Sequence, residues 1–164
     1  MIQKDLLSVI SLFLLLIFPG CSHLENQTIN NEQLIERGIY HYRQNYWDEA
    51  IADFNKVLKR EPKNSTAHFQ IGVICHKKGQ FDEAINRYKK ALMTDPFYSK
   101  AYFNLAVIYY ENKNDVEKAL DYFEKYLKLV PNSKLRLKIE KLTKSQRKGK
   151  IDKDIKDSFE KEVK

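Results

Sequence analysis

The chain of 164 residues contains little cysteine, glycine or proline, and a single tryptophan. Its two cysteines cannot build a disulfide-rich scaffold. Cys21 follows an apolar run and Cys75 lies inside a helical pattern, so no disulfide between them is expected. The mean hydropathy of −0.58 excludes a polytopic membrane protein, and 43% hydrophobic residues exclude disorder throughout. The length is that of one domain.

Motifs that carry catalytic chemistry are also missing. The sequence holds no HExxH, no phosphate-binding glycine-rich loop, no GxSxG and no CxxC. His68 and His76 are eight residues apart, which places them about 80° apart around a helix and makes them a poor metal pair. Cys75 is interpreted as a core thiol rather than a nucleophile. We therefore expect no enzyme, no cofactor and no metal site.

The positive charge is concentrated at one end of the chain. Residues 133–164 hold 12 basic and 6 acidic side chains, whereas residues 1–132 hold 17 and 16. A nucleic-acid-binding protein usually spreads lysine and arginine over a folded face, so the nearly neutral body argues against a nucleic-acid partner. Binding to phosphate groups would be a property of the C-terminal part alone.

Residues 1–20 are predicted to form a secretory signal peptide. The apolar run from Leu6 to Phe18 has 13 residues, fewer than the roughly 20 that a membrane-spanning helix needs. The end of this segment, Ile17-Phe18-Pro19-Gly20-Cys21, resembles the lipobox of bacterial lipoproteins. The resemblance implies that Cys21 is acylated and becomes the mature N-terminus, which would tether the protein to a membrane of the envelope. Ordinary cleavage and a retained short anchor are the alternatives.

A repeat of 34 residues dominates the part of the chain that follows. Ala50 and Ala84 are 34 residues apart, and Ala119 follows after 35. Three further sets recur with the same step: the small residues Gly38, Gly72 and Ala106, the aromatic residues Phe54, Tyr88 and Phe123, and the prolines Pro62, Pro96 and Pro131. The one extra residue of the third unit is expected in the turn at 111–115, because turns accept insertions more easily than packed helices.

This pattern of a small residue, an alanine, an aromatic residue and a proline resembles the tetratricopeptide repeat. The resemblance implies an all-α fold, an α-solenoid of three helix pairs in units 31–64, 65–98 and 99–133. The small residues would let the first helix (A) of each unit approach the second (B) closely, and each proline would end helix B. Residues 21–30, the lipidated cysteine and a polar stretch, are predicted to form a flexible tether before the first unit.

The sequence also predicts how the array ends. Arg37 and His41 stand where later units have apolar residues, so the first helix A is interpreted as a terminal cap. Leu135, Ile139 and Leu142 form one apolar stripe, which predicts a capping helix over 134–146. The charged tail at 147–164 is expected to be a frayed or partner-dependent helix.

In this repeat family the A-helices line a concave groove, and the resemblance places the fifth, ninth and twelfth positions of each unit on its floor. We expect these side chains to be exposed there as an apolar and aromatic peptide-binding surface; the alternative is that some are buried between neighbouring helices. The nine residues are Ile35, Ile39, Tyr42, Phe69, Val73, His76, Phe103, Val107 and Tyr110. Arg43, Lys77 and Glu111 are expected on the rim.

Some relatives bind acidic chaperone C-termini through a carboxylate clamp of lysine, asparagine and arginine. This chain has Ile35, Ile39, Gln70, Lys100 and Asn104 at the corresponding positions, and only Lys100 matches. That class of partner is therefore not expected. An apolar or aromatic segment of another protein, helical or extended, remains the expected ligand.

Two functions of different class follow from the sequence. The leading hypothesis is a non-catalytic lipoprotein of the bacterial envelope that binds or helps assemble other envelope proteins through its groove. The alternative is a protein that contacts anionic lipid head groups or acidic polymers through basic residues 134–150. For that segment, a solvated capping face is the simpler interpretation.

Overall fold

The structure is a computed structural model, and it describes residues 29–147. Within this range the elements are α1 (Asn31–Arg43), α2 (Trp47–Arg60), α3 (Ser65–Lys77), α4 (Phe81–Thr94), α5 (Ser99–Val107), a π-helical turn (Ile108–Asn112), α6 (Val116–Leu129) and α7 (Arg136–Arg147). The predicted signal peptide at 1–20, Cys21 and most of the tether lie outside the described residues, as does the tail beyond Arg147. Among residues 29–147, no helix is both long enough and apolar enough to cross a bilayer.

The helices pack as three consecutive pairs followed by a single helix. α1 contacts α2, α3 contacts α4, and α5 contacts α6, while α2 packs on α3 and α4 on α5. The last helix, α7, packs on α6. The prediction of an all-α solenoid with three helix pairs and a C-terminal capping helix is confirmed.

The three prolines stand just after the ends of the B-helices α2, α4 and α6. In each case the residue before the proline is the first non-helical one, and its φ lies between −129° and −127°. This extended backbone is the conformation that a following proline favours, because the proline ring collides with a helical predecessor. The prolines therefore end the B-helices at equivalent points.

Small residues allow the two helices of a pair to touch. A Cβ on Gly38 would lie 2.7 Å from Cε1 of Phe54, and a Cβ on Gly72 would lie 2.7 Å from Cε1 of Tyr88. On the opposing helices, Ala50 and Ala84 are completely buried. In the first two units the aromatic ring of the B-helix thus fills the space that the glycine of the A-helix leaves open, as the repeat pattern predicts.

The three turns between A- and B-helices share one left-handed residue. Asn45, Gly79 and Asn114 have φ of 61°, 73° and 51°. Glycine adopts this conformation without steric cost, and asparagine is among the side chains that tolerate it best. The sequence offers these three residues at equivalent places, just before each B-helix.

The extra residue of the third unit widens the end of its A-helix. In the first two units a backbone bond joins residues five apart, Tyr46 to His41 and Gln80 to Cys75, whereas in the third Asp115 bonds Tyr109, six residues back. The end of the third A-helix widens into the π-helical turn Ile108–Asn112. The wide turn overlaps the expected region 111–115 at Glu111 and Asn112, and it holds the extra residue while keeping backbone hydrogen bonds.

The first pair contains a buried carboxylate that the sequence analysis did not identify. Asp53 is 3% exposed and receives two hydrogen bonds from Arg37, of 2.7 Å from Nε and 2.6 Å from Nη2. His41 Nδ1 lies 3.3 Å from the same carboxylate. Arg37 and His41 of α1 thus face a carboxylate of α2, and the charge of Arg37 is compensated inside the pair.

The capping helix buries the stripe that the sequence predicted. Leu135, Ile139 and Leu142 are 6%, 2% and 0% exposed and join a cluster with Phe123 and Leu127 of α6. The helix begins at Arg136 rather than 134, because the turn after Pro131 occupies residues 133–136, with hydrogen bonds from Ser133 to Val130 and from Arg136 to Ser133.

Candidate functional site

The candidate site is the surface formed by the A-helices α1, α3 and α5 with its π-helical turn. Each A-helix uses two stripes for packing. One, with Gly38 and Gly72, faces its own B-helix; the other, with Ile74 and Ile108, is completely buried in the second and third units. In the first unit, which has no preceding repeat, Tyr40 takes the place of Ile74 and is 60% exposed. The second stripe therefore contacts the preceding repeat, which leaves a third stripe for the groove.

Six of the nine predicted groove residues are half-buried, which leaves part of each side chain accessible. They lie at repeated positions of the third stripe: Ile35, Ile39, Tyr42, Val73, His76 and Phe103. The inner atoms of all but His76 pack against the core clusters. A side chain held in this way offers apolar area to a ligand with little further loss of conformational freedom.

The other three predicted groove residues are buried, and their expected exposure is corrected. Phe69 is 7% exposed, with its ring centroid 4.8 Å from that of Tyr98 and 5.5 Å from that of Tyr88. Val107 is 0% exposed and Tyr110 is 5% exposed. The wide turn that starts at Ile108 shifts the phase of the residues it contains, so Tyr110 does not repeat the half-exposed placement of Tyr42 and His76. The third repeat therefore contributes less accessible apolar area to the groove than the first two repeats do.

Two ring side chains stand at the same position of the first and second repeats. Burial raises the pKa of the Tyr42 hydroxyl. Burial, together with the neighbouring charge of Lys77, lowers the pKa of His76. The His76 ring also contacts the edge of Phe81, with centroids 5.9 Å apart and an interplanar angle of 69°. Both side chains are therefore neutral near pH 7 and suited to an apolar or aromatic ligand.

A polar contact links the second and third repeats beside this surface. Asn104 Nδ2 donates a hydrogen bond of 3.1 Å to the hydroxyl oxygen of Tyr88. Tyr88 is completely buried and occupies the position of Phe54 and Phe123. The sequence analysis missed this pair, although a tyrosine among phenylalanines signals a hydroxyl that needs a partner when buried. Asn104 is thus already engaged and not fully available to a ligand.

The cations at or just after the C-terminal ends of the A-helices fall into two groups. Lys78 and Lys113 pair with the preceding repeat, with Nζ 3.1 Å from Asp48 and 2.5 Å from Asp82. Arg43 and Lys77 are exposed, and neither pairs with an acidic side chain of residues 29–147. These two cations therefore form a positive rim on one side of the groove, in the first and second repeats.

The described residues do not assemble a catalytic or metal constellation. In the range 29–147 no group of three histidine, cysteine, aspartate or glutamate side chains is arranged to hold a metal ion. His68 is buried against its own turn, with Nε2 2.9 Å from the carbonyl oxygen of Pro62. Cys75 is 4% exposed, and burial raises the pKa of its thiol, as a core thiol requires. What the arrangement presents chemically is an apolar, partly aromatic surface with a cationic rim.

Models of the tetratricopeptide repeat match most of the array. Two models described as tetratricopeptide repeat match residues 35–85 and 100–133, and a third described as TPR repeat matches residues 72–113. No curated protein sequence matches the chain significantly.

Solved structures with the same fold include MamA, a domain of Spaghetti and a bacterial chaperone. A crystal structure of MamA is 20% identical and covers 85% of this chain and 80% of its own, with a TM-score of 0.65. A MamA point mutant is 30% identical over 65% of this chain and 77% of its own, with a TM-score of 0.54.

The other two are a peptide-bound TPR domain and a secretion chaperone. The first TPR of Spaghetti (RPAP3), bound to an HSP90 peptide of sequence SRMEEVD, is 22% identical, covers 71% of this chain and 93% of its own, and has a TM-score of 0.64. The type III secretion translocator chaperone SycD of Yersinia enterocolitica is 18% identical, covers 70% and 88%, and has a TM-score of 0.60.

Proposed function

This chain belongs to the tetratricopeptide repeat family, and from that membership we propose that it is a non-catalytic scaffold that binds segments of other proteins in the groove of α1, α3 and α5. A structure of the same fold holds a peptide, and another belongs to a secretion chaperone. The observation that carries the proposal is in this chain itself: six apolar or ring side chains recur on one stripe of successive A-helices and remain half-buried.

The chemistry of the surface favours an apolar or aromatic segment. Ile35, Ile39 and Val73 offer aliphatic area, and Tyr42 and His76 add rings whose neutral state is favoured by burial. Aromatic side chains that anchor an interface usually dominate its binding energy. The rim cations Arg43 and Lys77 would favour a ligand with an acidic residue beside its apolar part.

The proposal is tested by truncating the two accessible rings. We expect Tyr42→Ala with His76→Ala to weaken partner binding about 30-fold, which corresponds to two moderate hot-spot truncations. A photo-reactive residue at Gln70, introduced in the full chain in its native host, would capture the partner from intact cells. The same residue at Lys89, which is exposed on α4, is the control for nonspecific capture.

The matched control variant is Tyr46→Ala, because Tyr46 is 57% exposed but lies in the turn between α1 and α2. Circular dichroism must show the same helix content in all variants. If the double variant is folded and captures the same partners in the same yield, this groove is not the binding surface.

We also propose that the protein is exported and held at a membrane of the bacterial envelope by acylation of Cys21, so that its partners are other envelope proteins. The lipobox resemblance at residues 17–21 supports this proposal. Cys21→Ser, expressed in the native host, should abolish incorporation of labelled fatty acid and leave an unprocessed precursor. If the wild type and Cys21→Ser both keep the full-length mass and both enter the detergent phase, the apolar run itself is the anchor and acylation is refuted.

A further inference from the structure

We propose that the outer face of α7 is a docking surface for an anionic lipid bilayer. This inference concerns a different face from the groove, and it depends neither on the groove proposal nor on acylation of Cys21. It rests on how the side chains of α7 are divided between the core and the solvent.

Two stripes with identical spacing run along α7. The inner one, Leu135, Ile139 and Leu142, is buried in the cluster with α6. The outer one, Leu137, Lys141 and Lys144, starts two residues later, which is about 200° around the helix. All three outer residues are exposed, and Leu137 is 68% exposed, one of the largest values for an apolar residue within residues 29–147. The helix is therefore anchored by one face and offers the opposite face to a partner.

The charge of this outer face is positive. Lys134, just before the helix, is exposed as well, and no ion pair involves Lys134, Lys141 or Lys144 among the residues that the structure describes. The acidic side chain of the helix, Glu140, is offset by Arg136, whose Nη1 lies 3.8 Å from Glu140 Oε1. An anionic surface would thus meet three lysines that have no ion pair within residues 29–147, beside one carboxylate whose charge Arg136 offsets.

The exposed leucine favours lipid over an acidic polymer. Leu137 and the two lysines span about 10 Å of helix. In the interface of a bilayer, an apolar side chain enters the region below the head groups while lysine ammonium groups remain at their level. A soluble polyanion would use the lysines in the same way but would leave Leu137 in water. The combination of one protruding leucine and flanking lysines therefore fits a lipid surface better.

The test places a fluorescent reporter at position 137, where the exposed leucine of this face stands. The full chain carrying L137W is mixed with vesicles of brominated phosphatidylglycerol in phosphatidylcholine, since bromine quenches an indole that reaches the acyl chains. M93W is the matched control, because Met93 is 83% exposed at the end of α4. Both variants share Trp47 and the same N-terminal segment, so a difference between them reports the position of α7.

We expect L137W to be quenched and M93W not, with the quenching lost at high salt and in vesicles of phosphatidylcholine alone. Adding Lys141→Gln and Lys144→Gln should raise the lipid concentration for half-maximal quenching about 30-fold, or about fivefold for each lysine. Lys59→Gln with Lys89→Gln removes the same charge from α2 and α4 and should leave that concentration within about threefold.

Three results would overturn the proposal. They are equal quenching of L137W and M93W, quenching of L137W that persists unchanged in neutral vesicles, and binding of polyglutamate that requires Lys141 and Lys144 while L137W stays unquenched by anionic lipid. The last result would assign the face to an acidic polymer instead. None of these results affects partner capture at Gln70, so the groove proposal is tested independently.

Discussion

Single atoms decide how closely the helices of a pair approach. At Gly72, a Cβ would meet not only Cε1 of Tyr88 but also Cδ1 of the same ring at 2.8 Å and Cβ of Arg87 at 3.3 Å. At Gly79, by contrast, nothing lies within 4 Å of the added atom, and the residue is distinguished only by its φ of 73°. The first glycine is required by packing and the second by backbone conformation, so they should respond differently to substitution.

We expect Gly72→Ala to lower the free energy of unfolding by about 2 kcal/mol, because the buried Tyr88 ring must move. Gly79→Asn should change it by less than about 0.5 kcal/mol, because Asn45 and Asn114 occupy the equivalent left-handed position. Urea unfolding followed by circular dichroism measures both values. Equal losses for the two variants would show that the close approach at Gly72 does not limit packing.

Asp53 makes the stability of the first repeat depend on pH. Its hydrogen bonds from Arg37 hold the pKa of the carboxyl below its usual 3.8. A carboxyl with a lower pKa in the folded than in the unfolded state stabilises the fold above the unfolded pKa, and this stabilisation is lost as the pH falls through the folded value. The effect therefore belongs to the acid range below about pH 4.

We expect Asp53→Asn to cost about 2 kcal/mol of unfolding free energy near neutral pH, since it leaves Arg37 without its buried partner, although part of Arg37 is solvated. The difference from the wild type should be constant above about pH 5 and shrink below about pH 4. Asp121→Asn, which breaks an exposed pair with Lys125, should cost less than about 0.5 kcal/mol. An Asp53→Asn difference that stays constant down to pH 2 contradicts this account.

Among the elements, the third A-helix departs from the other two. Its π-helical turn contains the one residue that exceeds the 34-residue period, and Tyr110 within it is buried. The neighbouring Lys113 still reaches Asp82 of the preceding repeat, as Lys78 reaches Asp48. The wide turn thus changes the groove face while the connection between repeats is preserved.

Deleting Asn112 should convert the wide turn into a regular one, because the link from Tyr109 to Asp115 would then equal those in the first two repeats. We expect the unfolding free energy to change by less than about 1 kcal/mol, since a π-helical turn is no more stable than the α-helical turn that replaces it. Deleting Lys78, which shortens a link that is already regular, should cost more than about 2 kcal/mol. Thermal unfolding of the two deletions, compared in parallel, decides the matter: similar losses would mean that the extra residue is structurally required.

The stability of the whole array depends on its ends, because each repeat contacts only its neighbours. At the C-terminal end, α7 covers Phe123 and Leu127 of α6. At the N-terminal end, Tyr40 remains exposed where later repeats bury isoleucine, and Arg37 is satisfied inside its own pair by Asp53. The two ends are thus completed by different means, one by an added helix and the other by polar residues.

Substitutions at Ile139 and Leu137 test whether the buried face of α7 stabilises the array. We expect Ile139→Asp to unfold at least the third repeat, because a carboxylate placed at a position 2% exposed costs more than about 3 kcal/mol. Leu137→Asp, at a position 68% exposed, should shift the melting temperature by less than about 2 °C. Hydrogen exchange of α6 would locate the loss. If α6 keeps its protection in Ile139→Asp, the cap is dispensable.

The repeat period alone was sufficient to predict the helix pairs, the ends of the B-helices at the three prolines, and the close approach at Gly38 and Gly72. These features depend on interactions within one 34-residue unit or with the next, and such interactions recur in sequence with the same step. The buried stripe of α7 was equally predictable, because an isolated stripe at helical spacing has only one apolar face to bury.

Tertiary structure decided which side chains of the A-helices remain accessible. An A-helix has apolar residues facing its own B-helix, the preceding repeat and the groove, and helical spacing does not distinguish these three stripes. Phe69 is buried because Tyr88 and Tyr98 come from other elements to cover it, and Tyr110 because a single extra residue changed the helix phase. The Arg37 to Asp53 pair likewise joins residues 16 apart. Accessibility is a property of what packs on top of a side chain, and that is set only when the helices come together.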